Sequence, residues 1–204
     1  MALRVVAENS APLARAEVWA QHGLCLFVEM DLGSLKKLKV LMDVGASPEV
    51  TLRNADALNI DLKDIDLIFL SHGHYDHSEG VLGVLKRRDR QISVLDHPDV
   101  SSPKLKSKPS TKFIDLPLSR DVAEACGISM LCARNSVTLA EGVMTSGEIV
   151  RRIYFEKQEG FLTVRDGLCL KDPLLDDQAL VAEVNGMWVW PSSQAVLTPE
   201  SLTP

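Results

Sequence analysis

The chain has 204 residues, 46% of them hydrophobic and 25% charged, enough for one globular domain with a sizeable core. Its net charge of −6 argues against a general nucleic-acid surface, and no apolar run approaches the length of a membrane helix. Four cysteines without metal-type pairing suggest reduced thiols, and an opening that mixes Arg4 and Arg15 with Glu8 and Glu17 resembles neither a signal nor a transit peptide. A cytoplasmic protein is expected.

Residues 3–7, 24–30 and 39–42 read as strands. Ser47-Pro48 then opens a helix, with serine at the cap and proline in the first turn, where its missing N–H costs little. Residues 66–70, DLIFL, form a short apolar run of the kind buried on both faces of a sheet. Residues 79–88 carry Val81, Leu82, Val84 and Leu85 at helical spacing, with Lys86, Arg87 and Arg88 where cations suit the helix dipole. Gly80 and Gly83 weaken that helix intrinsically, which suits close packing.

Between that strand and helix lies SHGHYDHSEG, residues 71–80, which places His72, His74, Asp76 and His77 within six residues of a chain holding only five histidines. Imidazole nitrogen and carboxylate oxygen suit zinc and other divalent first-row metals. His72 and His74, two apart, project to one side of an extended segment, whereas the adjacent Asp76 and His77 diverge. One loop thus offers half-sites for one or two ions. Helix capping by Asp76 or Ser78 would explain one residue and leave three histidines without a role. Asp43 is a candidate to support the loop, as carboxylates often orient metal-bound imidazoles.

Residues 91–95 read as a further strand, and 101–112, SSPKLKSKPSTK, as an extended, mobile loop. Its lysines either remain solvated or attract an anionic substrate. Ser119 caps a helix ending at Gly127. Residues 164–170 and 180–184 are strand-like, and Asn185-Gly186 signals a type I′ hairpin. Asp176-Asp177 read as turn residues leading into a strand, and His22 and His97, each standing alone, as structural or surface residues.

H-x-H-x-D-H after an apolar strand resembles the signature of the metallo-β-lactamase superfamily, as does VLMDVG at 40–45. NADALNIDL at 54–62, TSGEI at 145–149, Asp172-Pro173 and DDQAL at 176–180 are similar to its dihydropterin-methyl-aminobenzene-phosphate synthase-like branch. The resemblance implies an αββα sandwich over residues 1–190, with 191–204 a divergent tail and the fold incomplete at the C-terminus. It implies a metal-dependent hydrolase or transferase acting on a small anionic substrate, with Asp76 holding an ion or orienting the nucleophile.

The superfamily draws further ligands from its second half, a histidine, an aspartate and a final histidine. In this branch the first follows a strand in a glycine-cysteine-serine-histidine stretch. Here GMWVW at 186–190 is followed by PSSQ, and the last histidine is His97. Each ion therefore has two evident protein ligands, whereas a catalytic zinc normally takes three. Asp172, Asp176, Asp177 and Cys169 are substitutes whose reach sequence order leaves open. Truncation, an altered reading frame and a divergent inactive member all fit. Trp188 and Trp190 share one strand face, so self-association is expected where nothing covers them.

Overall fold

The computed structural model describes residues 1–33, 36–88, 90–149 and 160–189. The strands are β1 (Ala2–Ala7), β2 (Cys25–Asp31), β3 (Lys37–Met42), β4 (Leu67–Phe69), β5 (Ile92–Asp96), β6 (Lys104–Lys106), β7 (Lys112–Phe113), β8 (Ile128–Cys132), β9 (Thr138–Ala140), β10 (Val143–Thr145), β11 (Phe161–Arg165), β12 (Leu168–Lys171), β13 (Leu180–Val184) and β14 (Met187–Val189). The helices are α1 (Pro48–Ala57), α2 (Tyr75–Ser78), α3 (Val81–Lys86) and α4 (Arg120–Ala125).

Six strands form one sheet in the order β1-β2-β3-β4-β5-β8, antiparallel through β3 and parallel from β3 to β8. Successive residues of a strand face opposite sides, and here both sides are apolar. Cys25, Phe27, Leu41, Ile68 and Val94 pack into one core with Ala55, Val81, Val84 and Ala123 of the helices. Leu26, Val28, Met42, Phe69 and Leu95 pack into a second core with Val143, Leu180 and Ala182 of the sheet β14-β13-β10-β9. Helices, sheet and sheet thus form, among the described residues, three layers of the αββα sandwich that the sequence resemblance implies. A third sheet, β12-β11-β6-β7, lies beside the loop that follows β4.

Several local expectations hold through identifiable contacts. Ser47 accepts a hydrogen bond from Val50 N at the start of α1, and Ser119 from Val122 N at the start of α4. Asn185 and Gly186 both have positive φ (54° and 76°), as a type I′ turn requires. A Cβ on Gly80 would lie 2.0 Å from the Val44 carbonyl oxygen, so glycine there permits the helix to close on the end of β3.

Three expectations are corrected. Residues 164–170 are two strands rather than one, because Asp166 and Gly167 (φ 51° and 75°) make a hairpin turn between β11 and β12. The helix after the histidine loop begins at Val81, preceded by the separate short helix α2. The lysine-rich segment is a 3₁₀ turn over Pro98–Ser101 followed by β6 and β7, and Lys104 is only 2% exposed because it is ion-paired inside the protein.

Met187 and Trp188 of β14 are exposed, whereas Trp190 and the tail 191–204 lie outside the described residues. No helix among the described residues is long and apolar enough to cross a membrane.

Candidate metal centre

The parallel strands β3, β4 and β5 end side by side, and the chain leaves β4 into the histidine loop at that edge. Asp43 leaves β3 with φ of 56°, a conformation aspartate tolerates better than most residues, and is fully buried. Its Oδ1 accepts from Ser71 N at 2.8 Å, and its Oδ2 accepts from Ser71 Oγ at 2.7 Å and His77 Nδ1 at 2.8 Å. One carboxylate thereby holds both ends of the loop.

Since Ser71 Oγ donates to Asp43, it accepts from His72 Nδ1 at 2.9 Å. The Nε2 lone pair of His72 then faces inward, 3.0 Å from His74 Nδ1. His74 stacks on Phe161 of β11 with ring centroids 5.1 Å apart, and its Nε2 is buried with no hydrogen-bond partner. Burial first, and the nearby Lys104 ammonium second, push the His74 pKa down to about 4. At neutral pH it is a free base, the form that ligates metal.

His77 has the opposite electrostatics. Burial acts to lower its pKa, but the charge and hydrogen bond of Asp43, joined by Asp76 and Asp177, raise it above the ordinary value. Its Nε2 lies 3.6 Å from Asp76 Oδ2, at the outer rim of the loop.

The floor comes from segments distant in sequence. Asp176 Oδ2 accepts from Gly73 N at 2.8 Å, while its Oδ1 pairs with Lys104 Nζ at 2.8 Å; Asp172 lies 3.5 Å from the same ammonium. Gln178 N donates to Ser71 O at 2.9 Å. Asp176-Asp177, expected as turn residues, therefore abut the loop itself. Gly73 is sterically required, since a Cβ there would lie 2.1 Å from the Val100 carbonyl oxygen.

His22 also reaches this region, with Nε2 3.3 Å from Asp76 Oδ2. Its isolation in sequence gave no signal; only the pairing of the β1–β2 connection with the loop reveals it. His97 caps the 3₁₀ turn, accepting from Asp99 N at 3.1 Å. Cys169 is exposed on β12.

The donor chemistry fits a borderline divalent metal, with imidazole nitrogens, one of them the buried orphan Nε2 of His74, beside carboxylates. The donors are arranged as two pairs, and among the described residues no three His, Cys, Asp or Glu side chains already enclose one ion-sized point.

Comparison with known proteins agrees with this architecture. The sequence profile of the beta-lactamase superfamily domain matches residues 39–145, just over half of the chain. Over 169 residues the chain is 31% identical to the 7,8-dihydropterin-6-methyl-4-(beta-D-ribofuranosyl)-aminobenzene-5'-phosphate synthase of Methanocaldococcus jannaschii, covering 79% of this chain and 57% of that one. An uncharacterised protein of the same organism is 25% identical over 183 residues, 89% of this chain and 66% of the other. A solved metal-dependent hydrolase of the beta-lactamase superfamily superimposes with a TM-score of 0.70 at 22% identity, over 93% of this chain and 64% of its own. A Cronobacter sakazakii metallo-beta-lactamase gives 0.52 at 17% identity, over 89% and 60%. The chain spans about three fifths to two thirds of the length of these relatives. It belongs to the metallo-β-lactamase superfamily and has the fold of its metal-dependent hydrolases.

Proposed function

We propose that this protein is a zinc-dependent enzyme acting on a small anionic substrate, with His72 and His74 holding one ion and Asp76 and His77 a second. The observation that carries this reading is the orientation of the imidazoles: Asp43 and Ser71 engage Nδ1 of His77 and His72, leaving both Nε2 atoms facing the loop. Zinc, when bound, makes water a nucleophile near neutral pH and polarises a carbonyl or phosphoryl oxygen.

The chain's own groups position the reactants. Asp76, beside His22 and His77, would hold a metal or accept a hydrogen bond from an incoming water. The Phe161 ring, stacked on His74, covers one face of that imidazole. Lys106, Lys108 and Lys112 are exposed around the β6–β7 connection and supply positive potential for an anion, while Lys104 is committed inside. The synthase relative, whose name describes a phosphorylated compound, supports a phosphorylated substrate and pyrophosphate or phosphoryl chemistry. The four cysteines are unpaired, in keeping with a cytoplasmic location.

A second reading follows from the donor count. With two donors per ion, the chain would act as a metal-binding module without turnover. Zinc content after dialysis against a mild chelator, together with hydrolysis of a generic phosphodiester, separates the two. Metal-dependent turnover lost in His72→Ala and His77→Ala supports the enzyme. Zinc binding without turnover supports the module. Zinc retention unchanged in both variants overturns the site.

A further inference from the structure

The shortage of donors for the outer ion has an answer in the N-terminal half. Asn9 Oδ1 lies 3.1 Å from His22 Nδ1 and, having no proton to give, accepts from it. That contact turns Nε2 of His22 towards Asp76 Oδ2, 3.3 Å away. His77 repeats the arrangement: Nδ1 donates to Asp43, and Nε2 faces the same Asp76 oxygen at 3.6 Å. Two imidazole Nε2 atoms thus aim at one carboxylate oxygen. In a tetrahedral zinc shell with bonds near 2.0–2.1 Å, neighbouring donor atoms stand about 3.3–3.4 Å apart. The two separations here bracket that spacing.

The approach of His22 is built into the fold. Gly23, with φ of 92°, lies so close to the loop that a Cβ on it would fall 1.7 Å from the Asp76 carbonyl oxygen. Only glycine permits this contact, and it sets the preceding histidine against Asp76. The anchoring continues on either side, where Gly45 N donates to Leu24 O at 2.9 Å and Val44 N donates to His77 O at 2.8 Å.

We infer that His22 is the third protein ligand of the outer ion, completing an Asp76–His77–His22 zinc site. This rests on the zinc reading above and deepens it. The His22 side chain is 66% exposed, so its ring has room to turn towards the ion. The site then has the three protein donors and one open position of a catalytic zinc.

The test is zinc titration of the full chain by calorimetry for wild type, His22→Ala and His77→Ala, with Co²⁺ absorption as a second readout. His22→Ala is expected to weaken the outer site at least tenfold without lowering the thermal midpoint of the metal-free protein. His22→Cys is expected to restore binding and to add a thiolate-to-cobalt charge-transfer band absent from wild type, which a nearby but non-ligating residue would not produce. If His77→Ala abolishes a binding step while His22→Ala leaves it unchanged and His22→Cys adds no band, the His22 assignment is overturned and the zinc reading stands. If neither alanine variant alters zinc binding, the outer ion of the zinc reading fails and the His22 assignment falls with it.

Discussion

The inner pair, His72 and His74, and the outer pair, Asp76 and His77, come from one six-residue stretch, yet the fold gives them opposite environments. His74 is enclosed by Phe161 and lies near the Lys104 ammonium, so its proton affinity falls to about 4. His77 is almost as buried but is held by Asp43 beside Asp76, and its affinity rises. Burial alone would have driven both down. The neighbouring charge decides, which is why two histidines of one motif are suited to different tasks.

The largest test of this contrast is the floor beneath the inner pair. Lys104→Met removes the cation from two buried carboxylates, and breaking such a pair typically costs about 3–5 kcal/mol. Urea unfolding should show that loss, and the His74 pKa should rise as the ammonium is removed. A cost under ~1 kcal/mol would show that Asp172 and Asp176 do not depend on Lys104.

Acid provides the next test. His74 falls from an ordinary 6.5 to about 4, so between those values the unfolded chain binds more protons than the folded one. Its contribution is therefore complete above pH 6.5 and lost as pH falls towards 4, an effect on the order of 3 kcal/mol. His77 runs the other way: its stabilisation is present below pH 6.5 and lost as pH rises through its raised value. NMR titration of the metal-free protein should resolve two histidines on opposite sides of pH 6.5. A shared midpoint for both would remove the contrast.

Asp43→Asn reaches the outer pair. Asparagine tolerates the positive φ and still accepts from Ser71 N, but its amide meets the His77 Nδ1 proton. A loss of about 2 kcal/mol in unfolding free energy is expected, together with a lowered His77 pKa and unchanged His74. Smallest is Phe161→Ala, which removes the ring stacked on His74. It should cost about 1 kcal/mol beyond lost area and move the His74 pKa back towards 6.5, read in the same NMR titration.

The strength of the local signals explains which elements were legible. β13, β14 and the turn between them follow from alternation and Asn-Gly, and the cap of α1 from Ser-Pro. Asp166-Gly167 carries the same chemistry as Asn185-Gly186, yet the apolar run across it reads as one strand until its pairing shows the reversal. Lys104 is the sharper case. A lysine among lysines and prolines looks solvated, and nothing local distinguishes it from the exposed Lys106 two residues on. Its burial depends on carboxylates about seventy positions away.

By itself the sequence determined the superfamily and the position of the histidine loop, because both rest on short-range patterns: residue types at fixed spacing after an apolar strand. It also indicated Asp43 through the motif at the end of β3. Tertiary structure alone decided that Asp176 abuts Gly73, that Lys104 neutralises the floor, that His74 and His77 titrate in opposite directions, and that His22 meets Asp76. These depend on which distant segments share one sheet edge. Electrostatic and desolvation terms depend on separation and burial in space, which spacing along the chain does not encode.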